Sequence, residues 1–220
     1  MRSLRLAIAA IGLLASAAFA SPADPKLGAE YVQLASPQPA QAVGKKVEVI
    51  EFFMYHCPHC NVLEPYLAEW VKKQGDKVNF KRVHMPYSGA NDPETHLYLT
   101  LEAMGKLDDM HAKVFKAIHV DRLRMNTDAV VLDWAVKNGL DKAKFLDAWN
   151  SFGVMTKLKR VPQVLNAYKI DSVPTLVVDG RFMTSPSVVD ASNRGMNEGA
   201  LSKATVQVLD AMVAKIAKTK

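Results

Sequence analysis

The amino-acid sequence predicts an α/β fold that carries an inserted helical segment. Three observations support this fold class. A strand pattern leads directly into a helix pattern near residue 57, a proline-led hairpin pattern occurs late in the chain, and the last predicted element is an amphipathic helix over 201–216. The segment 89–158 shows the start and stop signals of helices. With 220 residues, 49% hydrophobic and 23% charged, the chain is long enough to bury such a core.

The first twenty residues are typical of a secretory signal peptide. Arg2 and Arg5 precede an apolar run over 6–18, and Ala18-Phe19-Ala20 is a small-x-small cleavage pattern. The apolar run is shorter than the roughly 18 residues that a membrane span needs. We therefore expect export and cleavage after Ala20. The remaining chain has 26 basic and 22 acidic side chains, a net charge of +4, and no basic tract, so nucleic acid is not an expected partner.

The first strand and helix are predicted on either side of a pair of cysteines. Residues 47–55 (VEVIEFFMY) are dense in β-branched and aromatic types, which predicts a strand that is buried on both faces. From Cys60 onward, apolar residues recur at helical spacing until a stop at Gly75. Pro65 lies inside this helix and predicts a kink. A second strand is predicted over 78–85.

Cys57 and Cys60 are the only two cysteines of the chain and mark the junction between that strand and helix. A disulfide that joins residues so close in sequence removes little entropy from the unfolded chain, so a structural role explains the pair poorly. A closed zinc site needs four ligands and the chain has no second thiol pair, so neither a metal nor another cofactor is expected. We interpret the CPHC motif, with Pro58 and His59 in its centre, as reactive. At the helix start Cys57 meets free backbone N–H groups and the positive end of the helix dipole, which favour its thiolate, and Cys60 is the sheltered partner.

The segment 89–158 is predicted to be helical from its capping residues. Helix starts are indicated at Asp92-Pro93-Glu94, Thr127-Asp128 and Asp141, and helix stops at Gly105 and Asn138-Gly139. A further helical run over 155–168 contains Pro162, where we expect a bend.

The last third of the chain contains the hairpin pattern YKIDSVPTLVVDGRF. It predicts a turn at Val173-Pro174, a strand over Thr175–Val178 and a tight turn at Asp179-Gly180 that leads into 181–183. A strand-helix-strand start, this hairpin and a final amphipathic helix together indicate the thioredoxin architecture.

Two motifs, EFFMYHCPHC and SVPTLVVDG, together resemble those of the DsbA-type thiol:disulfide oxidoreductases of the bacterial periplasm. The likeness extends over nearly all of the chain after residue 20. It implies a periplasmic protein with a thioredoxin-like domain formed by 21–88 and 159–220, and with 89–158 as an inserted all-helical domain. It also implies that Pro174 is cis and faces the cysteines, while Val173 presents backbone groups to a substrate peptide. A monomer is expected.

The predicted activity is that of a disulfide oxidant. Stabilising the thiolate of Cys57 favours the reduced protein, so its disulfide readily accepts electrons, a relation for which DsbA proteins are themselves the usual example. A thiolate of a reduced, unfolded exported protein attacks Cys57, Cys60 leaves, and a second client thiol resolves the mixed disulfide. The resemblance implies reoxidation by a membrane quinone-linked partner of the DsbB type.

Two other functions remain as alternatives to an oxidant. A disulfide reductase or isomerase shares the fold, although related isomerases carry an additional N-terminal dimerisation domain and only 21–46 precede the first long strand. A non-catalytic, chaperone-like peptide-binding module is the other alternative. Turnover with glutathione distinguishes such a module from an enzyme.

Two histidines flank the reactive cysteine. We expect His59 to lend positive charge or a hydrogen bond to the sulfur of Cys57. His56 stands where members of the family often carry an aromatic or small residue. It either strengthens thiolate stabilisation or, in the reading we favour, only ends the strand. The other histidines are interpreted as packing or surface residues: His84, His96, His111 and His119.

An acidic residue lies within the predicted buried strand. Strand alternation places Glu51 on the same face as Val49 and Phe53, where burial is expected. Either Lys81 or Arg82 of the next strand is a suitable ionic partner. The resemblance implies that this acid transfers protons at the inner cysteine, and a plain buried ion pair is the alternative.

Overall fold

The computed structural model describes residues 21–42 and 44–220, so the predicted signal peptide lies outside the described residues. In the described part the strands are β1 (Val32–Gln33), β2 (Val47–Phe53), β3 (Val78–His84), β4 (Thr175–Val178) and β5 (Phe182–Thr184). The α-helices are α1 (Pro58–Gln74), α2 (Pro93–Ala103), α3 (Leu107–His119), α4 (Asp128–Lys137), α5 (Lys142–Trp149), α6 (Phe152–Tyr168), α7 (Pro186–Ser192) and α8 (Glu198–Ala217).

The strands form one mixed sheet in the order β1-β5-β4-β2-β3. β2 runs parallel to β3 and antiparallel to β4, and all seven of its residues are buried, which confirms the predicted double-sided burial. β2 is shorter than predicted, because the carbonyl of Met54 already accepts a turn hydrogen bond from the N–H of Cys57 at 3.1 Å. The sheet thus ends just before the cysteine motif and directs the chain into α1.

The helical segment between β3 and β4 begins at the predicted capping residues. The side chains of Asp92, Thr127 and Asp141 each accept a hydrogen bond from a backbone N–H in the first turn of the helix that follows. The helix α3 was not predicted, because the residue at its N-terminal cap, Lys106, makes no side-chain capping bond that the sequence would signal. The final helix of the segment starts at its cap Ser151, earlier than expected.

One continuous helix, α6, crosses the predicted boundary at 158/159 between the inserted and the thioredoxin-like parts. The division of the chain into these two parts therefore stays a prediction. Both α1 and α6 continue through their internal prolines, Pro65 and Pro162. In the part of the chain that the structure describes, no helix is both long and apolar enough to span a membrane.

The late hairpin confirms its predicted strand and turn. Asp179 and Gly180 both have positive φ values, 54° and 63°, as a tight hairpin turn requires. A Cβ atom on Gly180 would lie 2.0 Å from the carbonyl oxygen of Gln38, so only glycine fits there. The second strand of the hairpin is shifted by one residue from the prediction, to Phe182–Thr184.

Two large hydrophobic clusters form most of the core of the described residues. One packs α1 and α8 against the sheet through residues such as Leu63, Trp70 and Leu209. The other fills the helical segment and reaches the sheet through Phe53, and it contains Cys60. The inner cysteine therefore lies where the core of the helical segment meets the sheet.

Candidate active site

Cys57 occupies the N-terminal cap of α1. Its backbone is extended, and its half-buried sulfur accepts a hydrogen bond from the N–H of Cys60 at 3.4 Å. The pKa of the Cys57 thiol is lowered to about 6, first by a hydrogen bond from the Cys60 thiol and then by the backbone N–H groups of Cys60 and His59 and the charge of His59. These effects outweigh partial burial, which acts in the opposite direction. Cys57 thus ionises readily near neutral pH.

Cys60 lies in the first turn of the same helix and is completely buried. Burial raises the pKa of its thiol far above the ordinary range, and the neighbouring Cys57 sulfur raises it further. Both cysteines are free thiols in this structure, which is therefore the reduced form. The two sulfurs differ as the sequence predicts: the half-buried Cys57 thiol ionises readily, and the buried Cys60 thiol does not.

The two residues between the cysteines are both exposed. Pro58 takes the first position of α1, where its missing N–H costs no helical hydrogen bond. The ring of His59 directs its Nδ1 to the Oε1 atom of Glu198 in α8, at 2.6 Å. The hydrogen bond that His59 offers to Cys57 therefore comes from its backbone, and its imidazole contributes only charge.

His56 lies beyond the last residue of β2, so the interpretation that it ends the strand is wrong. Its imidazole stacks on the ring of Tyr87, with centroids 4.7 Å apart and an interplanar angle of 19°. Its Nδ1 atom lies 3.4 Å from Oε1 of Glu94 in α2. The ring is thus held on two sides directly beside Cys57.

The loop before β4 lies against the reactive cysteine. The Val173–Pro174 peptide bond is cis, as the resemblance implied. The thiol of Cys57 donates to the carbonyl oxygen of Val173 at 3.6 Å. The contact is explained by strand pairing. Thr175 at the start of β4 pairs with Phe52 near the end of β2, which brings the preceding Val173 close to the residues that follow β2.

Glu51 is 1% exposed in the centre of the sheet. Its Oε2 atom accepts a hydrogen bond from Nε of Arg82, its register partner on β3, at 2.7 Å. Lys81, the other predicted candidate, instead binds Glu48 at 2.9 Å. Burial raises the pKa of Glu51 to about 7, since it outweighs the charge of Arg82, and the nearby carboxylate of Glu64 acts in the same direction as burial.

Arg82 joins Glu51 to two further buried groups. Its guanidinium also donates to both oxygens of Glu64, at 2.9 and 3.1 Å, and Glu64 lies 3.4 Å from Nε2 of His111. We call Glu51, Arg82, Glu64 and His111 the ionic cluster. Burial alone would raise the pKa of Glu64, but the nearby His111 ring and the charge of Arg82 lower it. The cluster reaches the surface at a hollow that Lys72 also lines.

Three histidines bind Tyr55, two residues before Cys57. The Tyr55 N–H donates to Nε2 of His84 at 3.0 Å, its hydroxyl is bonded to Nδ1 of His111 at 2.9 Å, and its carbonyl accepts from Nε2 of His119 at 2.7 Å. Burial lowers the pKa of His84 to about 3, which keeps that ring neutral as an acceptor. Neither this arrangement nor the role of Glu64 in the ionic cluster was predicted from the sequence.

Among the described residues, no three His, Cys, Asp or Glu side chains are arranged to hold a metal ion. The chemistry that remains is that of the two sulfurs. An accessible thiolate at a helix start can exchange with disulfides, and a buried thiol one turn away can close an internal disulfide with it. Such a pair, opposite a cis-proline loop on this sheet, defines the class: the protein is a thiol:disulfide oxidoreductase with a thioredoxin-like fold.

Comparisons with known proteins agree with this class. The family model described as the DSBA-like thioredoxin domain matches residues 90–194. The thiol:disulfide interchange protein DsbA of Burkholderia cepacia is 38% identical over 206 residues, which cover 94% of this chain and 92% of the relative. The protein of the same name from Pseudomonas aeruginosa is 38% identical over 72% of this chain and 75% of its own length. The crystal structure of Pseudomonas aeruginosa DsbA matches with a TM-score of 0.76 at 34% identity, covering 90% of this chain and 98% of that one. The chain belongs to the DsbA family.

Proposed function

We propose that the protein is the oxidant of a periplasmic disulfide-forming system, which donates the Cys57–Cys60 disulfide to reduced exported proteins. The observation that carries this proposal is the unequal environment of the two sulfurs. The fold stabilises a thiolate on Cys57 but not on Cys60, and the stabilisation of the Cys57 thiolate does not exist in the disulfide form. Interactions that favour only the reduced state make the disulfide a stronger electron acceptor.

The reaction transfers two electrons from the client to the enzyme. A client thiolate attacks the sulfur of Cys57, a mixed disulfide forms, and Cys60 leaves with the electron pair of the broken bond. A second client thiolate then attacks the client sulfur of the mixed disulfide, and Cys57 leaves as its stabilised thiolate. The client gains one disulfide, and the enzyme keeps the dithiol.

The cis-proline loop supports a role in holding the client. Val173 is partly exposed beside Cys57, while Pro174 is buried and fixes the start of β4. An extended client segment can use the backbone of Val173 to align its own cysteine with Cys57.

Glu51 supports the proton transfer that the inner sulfur needs. Cys60 must gain a proton when it leaves and lose one when the disulfide closes. With a pKa of about 7, Glu51 can either give or accept a proton near neutral pH. Arg82 and Glu64 hold the carboxyl group in place beneath the site.

The family membership and the signal-like N-terminus support a periplasmic location with cleavage after Ala20. To work repeatedly, the reduced enzyme must pass its two electrons and two protons to another disulfide. A membrane partner of the DsbB type, which is linked to a quinone, suits this step.

A redox titration against glutathione tests the proposal. The fraction of reduced Cys57–Cys60 is measured by alkylation and mass spectrometry in buffers with a graded ratio of glutathione to glutathione disulfide. The control is the same chain unfolded in denaturant. An oxidant stays reduced at far more oxidising ratios when folded than when unfolded. If folding instead favoured the disulfide, the protein would be a reductase, and if the cysteines did not exchange, it would be a binding module.

A further inference from the structure

The first step of the proposed reaction requires an ionised client thiol. An ordinary cysteine thiol has a pKa of about 8.5, so only about 3% of it is thiolate at pH 7. A base beside Cys57 that removes the client proton would therefore speed the step by at most about 30-fold. Two of the groups described above do not serve as this base. Glu51 is 1% exposed and lies inside the sheet, and the imidazole of His59 acts on Cys57 through its positive charge, which a ring able to accept a proton does not carry.

His56 has the exposure and the support that such a base needs. Its side chain is 46% exposed, and it directly precedes the cysteine that the client attacks. Because Nδ1 faces Glu94 and the ring is stacked on Tyr87, the free nitrogen Nε2 is the one left for an incoming group. Stacking on Tyr87 and the contact with the Glu94 carboxylate together restrict the orientation of the ring, so the position of Nε2 is defined.

Glu94 is placed to stabilise a positive charge on that ring. Its side chain is 6% exposed, and its Oε2 atom is buried with no hydrogen-bond partner. Burial, together with the carboxylate of Asp92 at the same helix start, raises the pKa of Glu94 to about 7, although the contact with His56 acts in the opposite direction. The other titratable groups beside the pair are Asp92, which acts on Glu94, and Tyr87, which stacks on His56. A proton arriving on His56 gives the poorly solvated Glu94 carboxylate the counter-charge that it lacks.

We propose that His56 is a catalytic general base that takes the proton of the incoming client thiol, and that Glu94 is the positioning residue that orients it. This inference rests on the proposed function and adds a residue to its first step. In that step Nε2 accepts the thiol proton, the client sulfur bonds to Cys57, and the Cys57–Cys60 bond breaks with its electron pair on Cys60. The imidazolium returns its proton to solvent after the client has left. No other reactant is consumed.

The test compares two thiols that differ only in their need for a base. The oxidised protein is mixed with glutathione, an alkyl thiol of ordinary pKa, or with an aromatic thiol that is fully ionised at pH 7. The second-order rate of disulfide opening is followed by quenched alkylation. H56N should slow the reaction with glutathione about tenfold and leave the reaction with the aromatic thiol unchanged. E94Q should slow the reaction with glutathione about threefold, because it weakens the orientation but keeps the base.

D133N, which removes an exposed carboxylate of α4, is the matched control and should change neither rate. The thiolate absorbance of the reduced protein should give the same Cys57 pKa in H56N and wild type. An equal loss with both thiols, or a shifted Cys57 pKa, would show that His56 acts on the enzyme thiolate or on the fold. No loss with glutathione would also overturn the proposal.

The wild-type protein provides a test that needs no variant. The rate with glutathione is divided by the thiolate fraction of glutathione and by the rate with the aromatic thiol at the same pH, which cancels the pH dependence that Glu51 gives to both reactions. If His56 is a base, this quotient should rise as pH falls from 9 to 7. A constant quotient would mean that only free thiolate reacts. Failure of the oxidant proposal would be visible separately, because the aromatic thiol would then fail to open the disulfide or the glutathione titration would favour the folded disulfide.

Discussion

The polar groups around Cys57 and those beneath Cys60 differ in their access to solvent, although the two cysteines are one helical turn apart. Around Cys57 lies a polar rim, formed by His56 and His59 with their carboxylate partners Glu94 and Glu198. The rim imidazoles are 46% and 69% exposed, whereas side chains of the ionic cluster are 1% to 16% exposed.

This difference separates two ways of controlling a thiol. Exposed charges are screened by water and salt, so the rim adjusts Cys57 only modestly, and the larger contributions come from Cys60 and the backbone. Buried charges are poorly screened, so the ionic cluster and the apolar core decide which groups near Cys60 can carry charge at all. The rim therefore suits contact with clients, and the cluster suits internal proton transfer.

Replacing each cysteine by serine should give the largest effect and tests directly whether Cys57 and Cys60 differ in reactivity. Cys60→Ser should accumulate mixed disulfides with a reduced, unfolded secreted protein, because the accessible thiolate remains and the internal resolving thiol is gone. Cys57→Ser should accumulate at least about tenfold fewer, because the remaining thiol is buried and protonated. Non-reducing electrophoresis measures both, and each variant is the control of the other. Equal trapping would mean that the two environments are not different in reactivity.

Two buried acids of β2 allow a matched test of the ionic cluster. Glu51→Gln should slow the steps that protonate or deprotonate Cys60 about tenfold. Because the pKa of Glu51 is about 7, its contribution to opening the disulfide should fall as pH rises through 7, and its contribution to closing should rise. Both inflections should vanish in the variant. Stopped-flow oxidation and reduction across pH provide the measurement.

Glu48→Gln is the control for this test. Glu48 is equally buried and is also ion-paired, in its case with Lys81, but it lies on β2 farther from the cysteines. Its loss should lower stability without changing the pH profile of exchange. If both variants changed the profile alike, the effect would belong to the sheet and not to Glu51.

A comparison of the stabilities of the reduced and oxidised proteins tests whether the fold stabilises the Cys57 thiolate. A thiol whose pKa is lowered by folding stabilises the fold fully above its unfolded pKa of about 8.5, and that contribution is lost as pH falls through the folded value of about 6. The unfolding free energy of the reduced form, minus that of the oxidised form, should therefore rise by about 1 to 2 kcal/mol from pH 6 to pH 8.5, after allowing for screening of a half-exposed sulfur. Denaturant melts of both forms measure it. A constant difference would contradict thiolate stabilisation.

The smallest expected effect belongs to the rim. Glu198→Gln removes the carboxylate that partly neutralises His59, so the pKa of the Cys57 thiol should fall by about 0.3 at low salt. The shift should disappear near 1 M salt, where screening acts within about 3 Å. Glu69→Gln, at an exposed ion pair farther along α1, is the control and should have no effect. A shift that survives high salt would mean that the rim is not screened as its exposure indicates.

The sequence was sufficient for the parts of the site that depend on local signals. The caps at Asp92, Thr127 and Asp141, the turn at Asp179-Gly180 and the helix start at Cys57 all depend on residues close together in the chain. The cis bond and the likeness to DsbA came from two motifs read together. Such features can be recognised because the responsible residues are neighbours.

The remaining parts of the site depend on long-range packing. Strand alternation placed Glu51 inside, but the register that selects Arg82 over Lys81 appears only once β2 and β3 are paired. In the sequence, Glu64 occupies an ordinary polar position of an amphipathic helix. Its contacts with Arg82 on β3 and His111 on α3 appear only in the folded structure. No local pattern could have shown that contact.

The hydrogen bonds between three histidines and Tyr55 have a consequence for the order of folding. His111 and His119 both come from α3, far along the chain from Tyr55. The segment between β2 and Cys57 therefore reaches its final position only after the helical segment has docked on the sheet. A chain with its sheet formed but α3 undocked would lack two of the three histidine contacts of Tyr55, so the residues that lead into the Cys57 cap would not yet be held in place.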